Sequence, residues 1–123
     1  NCQIISTIHD EHLMSVFLSA CDAVLITSRE ENLPNLALEA MACGAAVVAS
    51  NRGAMPEVAG GAALLADPRD PAEIAAQLKR AVEDRSLAAD LSSRGLQRAA
   101  ELDWRAFAAT NLALYRRVLA SDT

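Results

Sequence analysis

Apolar residues along this chain come first in short unbroken blocks and later in stripes. Residues 23–27 (Ala-Val-Leu-Ile-Thr) and 45–49 (Ala-Ala-Val-Val-Ala) are almost wholly apolar, as strands covered on both faces are. Residues 3–7 and 62–66 read as two further short strands. Between these blocks the spacing turns helical. Asp10 can cap a helix reaching Ala20, with Leu13, Val16, Phe17 and Ala20 on one face. Pro34 and Asn35 open a helix that ends near Cys43, and Gly44 marks its exit. A turn at 50–53 leads to one or two helical turns at 55–58, ended by Gly60 and Gly61.

The second half is helical. Asp70 caps, Pro71 takes the first helical position and Glu73 completes a capping box. Ile74, Ala75, Leu78, Ala81 and Val82 then form an apolar stripe. Another helix runs from Ser86 to about Ala100, with an interruption or kink expected near Gly95, and Trp104 opens the last one. The terminal residues 121–123 are expected to fray. Strand and helix alternate, then helices follow. The pattern predicts an α/β fold: a Rossmann-like, doubly wound parallel sheet of about four strands, closed by a helical tail.

Composition narrows the function classes. The chain has 123 residues, enough for one domain with a core. Apolar residues make up 52%, yet only 3% are aromatic, so the core must be built from Ala, Leu and Val. A net charge of −5 with no basic cluster argues against nucleic acid as a partner. No apolar stretch reaches the roughly 18 residues needed to cross a bilayer, and no signal peptide is visible. Cys2, Cys21 and Cys43 are odd in number and widely spaced, which suits small buried hydrophobes in a reducing compartment and no metal site. His9 and His12 read as exposed surface residues. The chain starts at Asn1, directly in strand-like sequence, and is expected to be an excised fragment.

The chemistry is concentrated in one stretch. Glu31 lies in the loop after the 23–27 strand, and Glu39 lies one turn into the helix that follows. Such a loop sits at the carboxyl edge of a parallel sheet, where open α/β folds bind ligands. The N–H groups of about Leu36, Ala37 and Leu38 fall at the helix start, where the helix does not use them and they are expected to point outward, and a diphosphate fits there. A carboxylate accepts two hydrogen bonds side by side, which matches the vicinal hydroxyls of a ribose for Glu39 and sugar hydroxyls for Glu31. Acids near a helix start are also common for a simpler reason, since the dipole stabilises them by about 0.3–1 kcal/mol. Spacing alone leaves both explanations open. Gly44 suits a C-cap better than a phosphate contact, and Glu57 suits a helix-start acid better than a catalyst. No Gly-x-Gly-x-x-Gly and no P-loop is present.

Residues 28–50 (Ser-Arg-Glu-Glu-Asn-Leu-Pro-Asn-Leu-Ala-Leu-Glu-Ala-Met-Ala-Cys-Gly-Ala-Ala-Val-Val-Ala-Ser) resemble the donor-binding signature of retaining glycosyltransferases of the GT-B fold, family four, the glycosyl transferases group one. The resemblance continues through residues 53–58, 61–68 and 70–73 and ends at the Asp103-Trp104 pair. It implies that the whole chain, 1–123, is the C-terminal nucleotide-sugar-binding domain of such an enzyme. Glu39 would then bind the nucleotide ribose, Glu31 would contact and orient the transferred sugar, and amides near Leu36 and Ala37 would hold the diphosphate. Leu33 and Asn35 join the binding residues on either side of Pro34. The resemblance further implies transfer with retained anomeric configuration, no cofactor and no essential metal.

Two departures from the family pattern stand out. Asn32-Leu33-Pro34 replaces the frequent Gly-Phe-Gly after the first acid, and Pro34 has no N–H to give a sugar. The resemblance also implies a basic pair that neutralises the diphosphate and an N-terminal acceptor-binding domain, and neither lies within residues 1–123. Arg29 and Arg52 are the nearby cations, and solvated loop residues are their default state. The expected partners are a nucleoside diphosphate sugar, a glycan, lipid or small-molecule acceptor, and the missing domain, against which the Trp104 helix would pack. The expected location is cytoplasmic, or peripheral to a membrane through that domain. A non-catalytic domain of the same fold, or another sugar-nucleotide enzyme such as an epimerase, is the alternative.

Overall fold

A computed structural model describes residues 2–5 and 7–121. Three parallel strands form its sheet: β1 (Val24–Ile26), β2 (Val47–Ser50) and β3 (Ala63–Ala66), in that order. Six helices surround it: α1 (Glu11–Ser19), α2 (Asn35–Ala42), α3 (Met55–Ala59), α4 (Pro71–Glu83), α5 (Arg85–Glu101) and α6 (Trp104–Ser121). The register places Val24, Val47 and Ala63 in one row and Ile26, Ala49 and Leu65 in the next. These rows share one face, because side chains two apart along a strand point the same way. That face packs on Leu18 of α1, Ala37, Ala40 and Met41 of α2, and Met55 and Ala59 of α3. Val48 and Ser50 point to the other face, against which α4 packs over β2 and β3. All four β2 residues are buried, as a central strand covered on both sides must be.

The small core residues set how closely the elements approach. Gly95 of α5 sits against Met41 of α2, and a Cβ added there would lie 3.3 Å from Met41 Cβ and Cγ. Gly95 therefore marks a close helix–helix contact. The expected interruption is absent: α5 runs unbroken from Arg85 to Glu101.

Other expectations also need correction. Residues 3–5 and 7 form no strand; Ile4 is 93% exposed, with no neighbouring strand to bury it, and Ser6 lies outside the described residues. The sheet thus has three described strands instead of four. On α1 the buried face is Leu18 with Met14 beside it, while Leu13, Val16 and Phe17 are exposed. Asp70 does cap α4, accepting from the N–H groups of Ala72 (2.9 Å) and Glu73 (3.1 Å). The Glu73 carboxylate, however, accepts from the Asp67 N–H at 2.8 Å, so it ties down the preceding loop and no capping box forms. Cys2 is exposed, and Cys21 and Cys43 are only half-buried. His9 and His12 are exposed. From Trp104 to Ala120 every side chain of α6 except half-buried Asn111 is exposed. Asp122 and Thr123 lie outside the described residues.

Candidate functional site

The loops after β1, β2 and β3 converge at the carboxyl edge of the sheet. The β1–α2 loop carries Glu31, half-buried, with its carboxylate accepting a hydrogen bond from the Ser28 hydroxyl at 2.9 Å. Its backbone is held as well. The Glu31 carbonyl accepts from the N–H of Ala54, in the β2–α3 turn, at 3.0 Å. Glu31 lines a depression of about 420 Å³ with Arg29, Glu30, Arg52, Gly53 and Arg69.

Arg52 is exposed, as a solvated loop residue would be, but it is also paired. Its guanidinium donates to Asp67 at 2.7 Å. The Asp67 carboxylate also accepts from the Arg69 N–H at 2.9 Å. That backbone hydrogen bond, and then the Arg52 side chain, hold the Asp67 carboxyl below the usual carboxylate range. Among the described residues, Arg29 and Arg69 have no carboxylate within salt-bridge distance.

Glu39 stands differently. It is exposed on α2, and among the described residues its carboxylate has no hydrogen-bond or ion-pair partner. It lines a separate groove of about 600 Å³, bounded by Leu33, Asn35 and Leu38 on one side and by Trp104, Phe107 and Thr110 of α6 on the other. Glu57, Glu101 and Asp103 also line this groove, and no Lys or Arg does. Trp104 and Phe107 stack edge to face within it, ring centres 5.7 Å apart. The two acids therefore open onto two hollows of opposite character, one ringed by arginines and one acidic and aromatic. Asn32 lines both and forms the ridge between them.

The start of α2 lies beside that ridge. Pro34 is the N-cap and makes no side-chain cap. The Pro34 carbonyl takes the N–H of Ala37 at 3.0 Å and that of Leu38 at 3.4 Å, and the Asn35 N–H turns back to the Leu33 carbonyl at 2.9 Å. The expectation of three outward amides is thus corrected. A tight first turn closes on Pro34 and uses the Ala37 and Leu38 N–H groups, leaving the Leu36 N–H without a partner. Leu33 and Leu36 are half-exposed, and Ala37 is fully buried.

Sequence reasoning missed Arg69, Asp67 and the Ser28–Glu31 bond. The strand order was the available signal for the first two, since every loop after a parallel strand emerges at the same edge. Among the described residues no three His, Cys, Asp or Glu side chains gather where they could hold a metal ion. A further hollow at the α4–α5 corner shares no residue with either acid's surroundings.

The family whose model matches is described as glycosyl transferases group 1, and the match covers residues 1–98. An MMP alpha-(1->4)-mannosyltransferase from Mycolicibacterium hassiacum is 36% identical over 119 residues, covering 94% of this chain and 29% of that protein. The O-antigen chain mannosyltransferase B of Escherichia coli is 43% identical over 67 residues, covering 54% of this chain and 18% of that protein. Among solved structures, sucrose-phosphate synthase from Thermosynechococcus elongatus superposes with a TM-score of 0.78 at 31% identity, covering 89% of this chain and 28% of that one. The chain spans less than a third of the length of each of these proteins.

Proposed function

Because the chain belongs to the glycosyl transferases group 1 family and has the α/β fold of a GT-B glycosyltransferase, we propose that it is the donor-binding domain of a retaining glycosyltransferase. The donor is a nucleoside diphosphate sugar lying across the Asn32 ridge. Its ribose hydroxyls meet Glu39, with the base toward the aromatic wall of the groove. The diphosphate approaches the Leu36 N–H at the start of α2, where the helix dipole favours an anion. Leu33 and Asn35 flank it. The sugar lies on the Glu31 side, where the carboxylate orients it and stabilises the positive charge that develops as the bond to the diphosphate breaks. Pro34 gives that sugar no N–H. The placement of Glu31 and Glu39 in adjoining hollows that share Asn32 carries this reading.

The acceptor, a glycan, lipid or small molecule, binds a further domain of the protein, against which α6 packs. Mannose is the first sugar to try, since both curated relatives above are named as mannosyltransferases. No metal is required in this reading, and turnover in a chelator is expected to match turnover without one. Among the described residues no helix is long and apolar enough to cross a membrane. We place the enzyme in the cytoplasm, or at a membrane surface when its acceptor is a lipid.

The test is a calorimetric titration of the whole protein with UDP, GDP and ADP, then with their sugar conjugates, GDP-mannose among them. One nucleotide is expected to bind saturably, and Glu39→Ala to weaken it at least tenfold. Unchanged affinity in that variant would remove Glu39 from the donor site. No binding by any nucleotide would favour a non-catalytic domain of the same fold.

A further inference from the structure

Glu31 is fixed by more than its own loop. The Ser28 hydroxyl donates to its carboxylate, and the Ala54 N–H donates to its carbonyl. Gly53 makes the second of these contacts possible. It sits in the left-handed region at φ +60°, and a Cβ there would lie 2.7 Å from the Glu31 carbonyl oxygen and 2.9 Å from its nitrogen. Both atoms are backbone and cannot move aside alone. Any side chain at 53 must therefore push the β2–α3 turn away from the loop. Gly61 is the informative contrast. It is also left-handed, at φ +84°, yet a Cβ there would meet nothing within 4 Å.

We propose that Gly53, Ala54 and Ser28 are positioning residues that set the aim of the Glu31 carboxylate, and through it the rate of sugar transfer. This rests on the role given to Glu31 above. The turn fixes the height of the loop against β2, and the Ser28 hydroxyl selects the carboxylate rotamer. A misplacement of about 1 Å at a reacting centre can cost a hundredfold in rate, and loosening one hydrogen bond of this kind costs roughly tenfold. Glu39 has no such seat and does not touch Ser28, so the Ser28 bond acts on turnover and leaves nucleotide affinity alone.

The experiment measures slow release of nucleoside diphosphate from a sugar conjugate in water, which needs no acceptor. Affinity for the free nucleoside diphosphate and thermal melting are measured alongside it. Ser28→Ala is expected to slow release about tenfold, and Ser28→Thr, which keeps the hydroxyl, to recover most of it. Gly53→Ala is expected to slow release about a hundredfold. Gly61→Ala carries the same backbone penalty and is expected to lower the melting temperature only. Nucleotide affinity should stay within about twofold in the Ser28 variants; because Ala54 also lines the Glu39 groove, Gly53→Ala is read at saturating donor. If Ser28→Ala and a folded Gly53→Ala release at the wild-type rate while Glu31→Gln does not, the positioning role is wrong and the proposed function stands. If Glu31→Gln also releases at the wild-type rate, the proposed function falls and takes this inference with it. Should Gly53→Ala fail to fold, the Ser28 pair decides alone.

Discussion

Glu31 and Glu39 are eight residues apart, yet the protein holds them in opposite ways. Glu31 sits in a loop and has dedicated partners: Ser28 for its carboxylate, and Gly53 with Ala54 for its backbone. Glu39 has no polar partner of its own among the described residues. It takes its position from α2, whose inner face of Ala37, Ala40 and Met41 is fully buried. An irregular loop has many accessible conformations and few regular backbone hydrogen bonds to fix it, so an acid placed there needs specific contacts. A helix packed on a core is already rigid, and an acid on its outer face inherits that rigidity. The first arrangement suits a group that must be aimed at a reacting atom, and the second suits one that must only be present to bind.

The sharpest way to break this contrast is to remove the aimed charge. Glu31→Gln keeps the size of the side chain and its capacity to accept from Ser28 while deleting the charge. Donor turnover is expected to fall about a hundredfold or more, with free nucleotide affinity changed only a few-fold. An equal loss in both would mean that Glu31 binds the ground state as strongly as the transition state, and the two acids would then not differ in role.

The next effect reaches Glu39 through its support. Met41 is 0% exposed and carries α2 against α5. Met41→Ala is expected to destabilise the protein by about 2–5 kcal/mol, read as a drop in the urea midpoint. Nucleotide affinity should fall with it, because the helix bearing Glu39 loses its seat, whereas Glu31's contacts to Ser28 and Ala54 do not involve Met41. A stable variant with full affinity would show that Glu39 does not depend on this packing.

Gly95→Ala probes the same support more gently. Alanine gains about 1 kcal/mol in helix propensity, but its Cβ would meet Met41 at 3.3 Å, and overpacking of this kind costs about 1–3 kcal/mol. A net loss of about 1 kcal/mol is expected on melting. A gain in stability would show that α5 can move away from α2 without strain.

The sequence revealed these regions unequally. Blocks such as 45–49 announced a buried central strand because all four β2 residues are covered on both faces. Asp10 and Asp70 announced helix starts because a cap needs only local geometry. Local pattern misled where a partner had to come from elsewhere. Residues 3–7 have strand composition, but in the described residues no neighbouring strand pairs with them. Gly95 reads as a helix breaker until Met41 is placed against it. Glu73 has the right spacing for a capping box, yet it bonds Asp67. At the candidate site, the spacing of Glu31 and Glu39 was visible in the sequence. The backbone contacts that seat Glu31 cross from one strand's loop to the next, over more than twenty residues, and the Ser28 bond, though local, lies in an irregular loop; periodicity carries no trace of either.

The smallest effect belongs to the carboxylate that holds Arg52 in the wall of the Glu31 depression. Asp67 is held by the Arg69 N–H and the Arg52 guanidinium, and both favour its charged form. Its folded carboxyl therefore titrates below the unfolded one, whose ordinary value is about 3.9. The stability it contributes is fully present above that value and is lost as pH falls through the lowered folded value. The difference in melting temperature between the protein and Asp67→Asn is thus expected to be small and constant from neutral pH down to about pH 5, and to shrink below about pH 4. A difference at Asp67 that persists unchanged into strong acid would mean that its charge does nothing for the depression. The contrast between the two hollows would then rest on Glu31's seat alone.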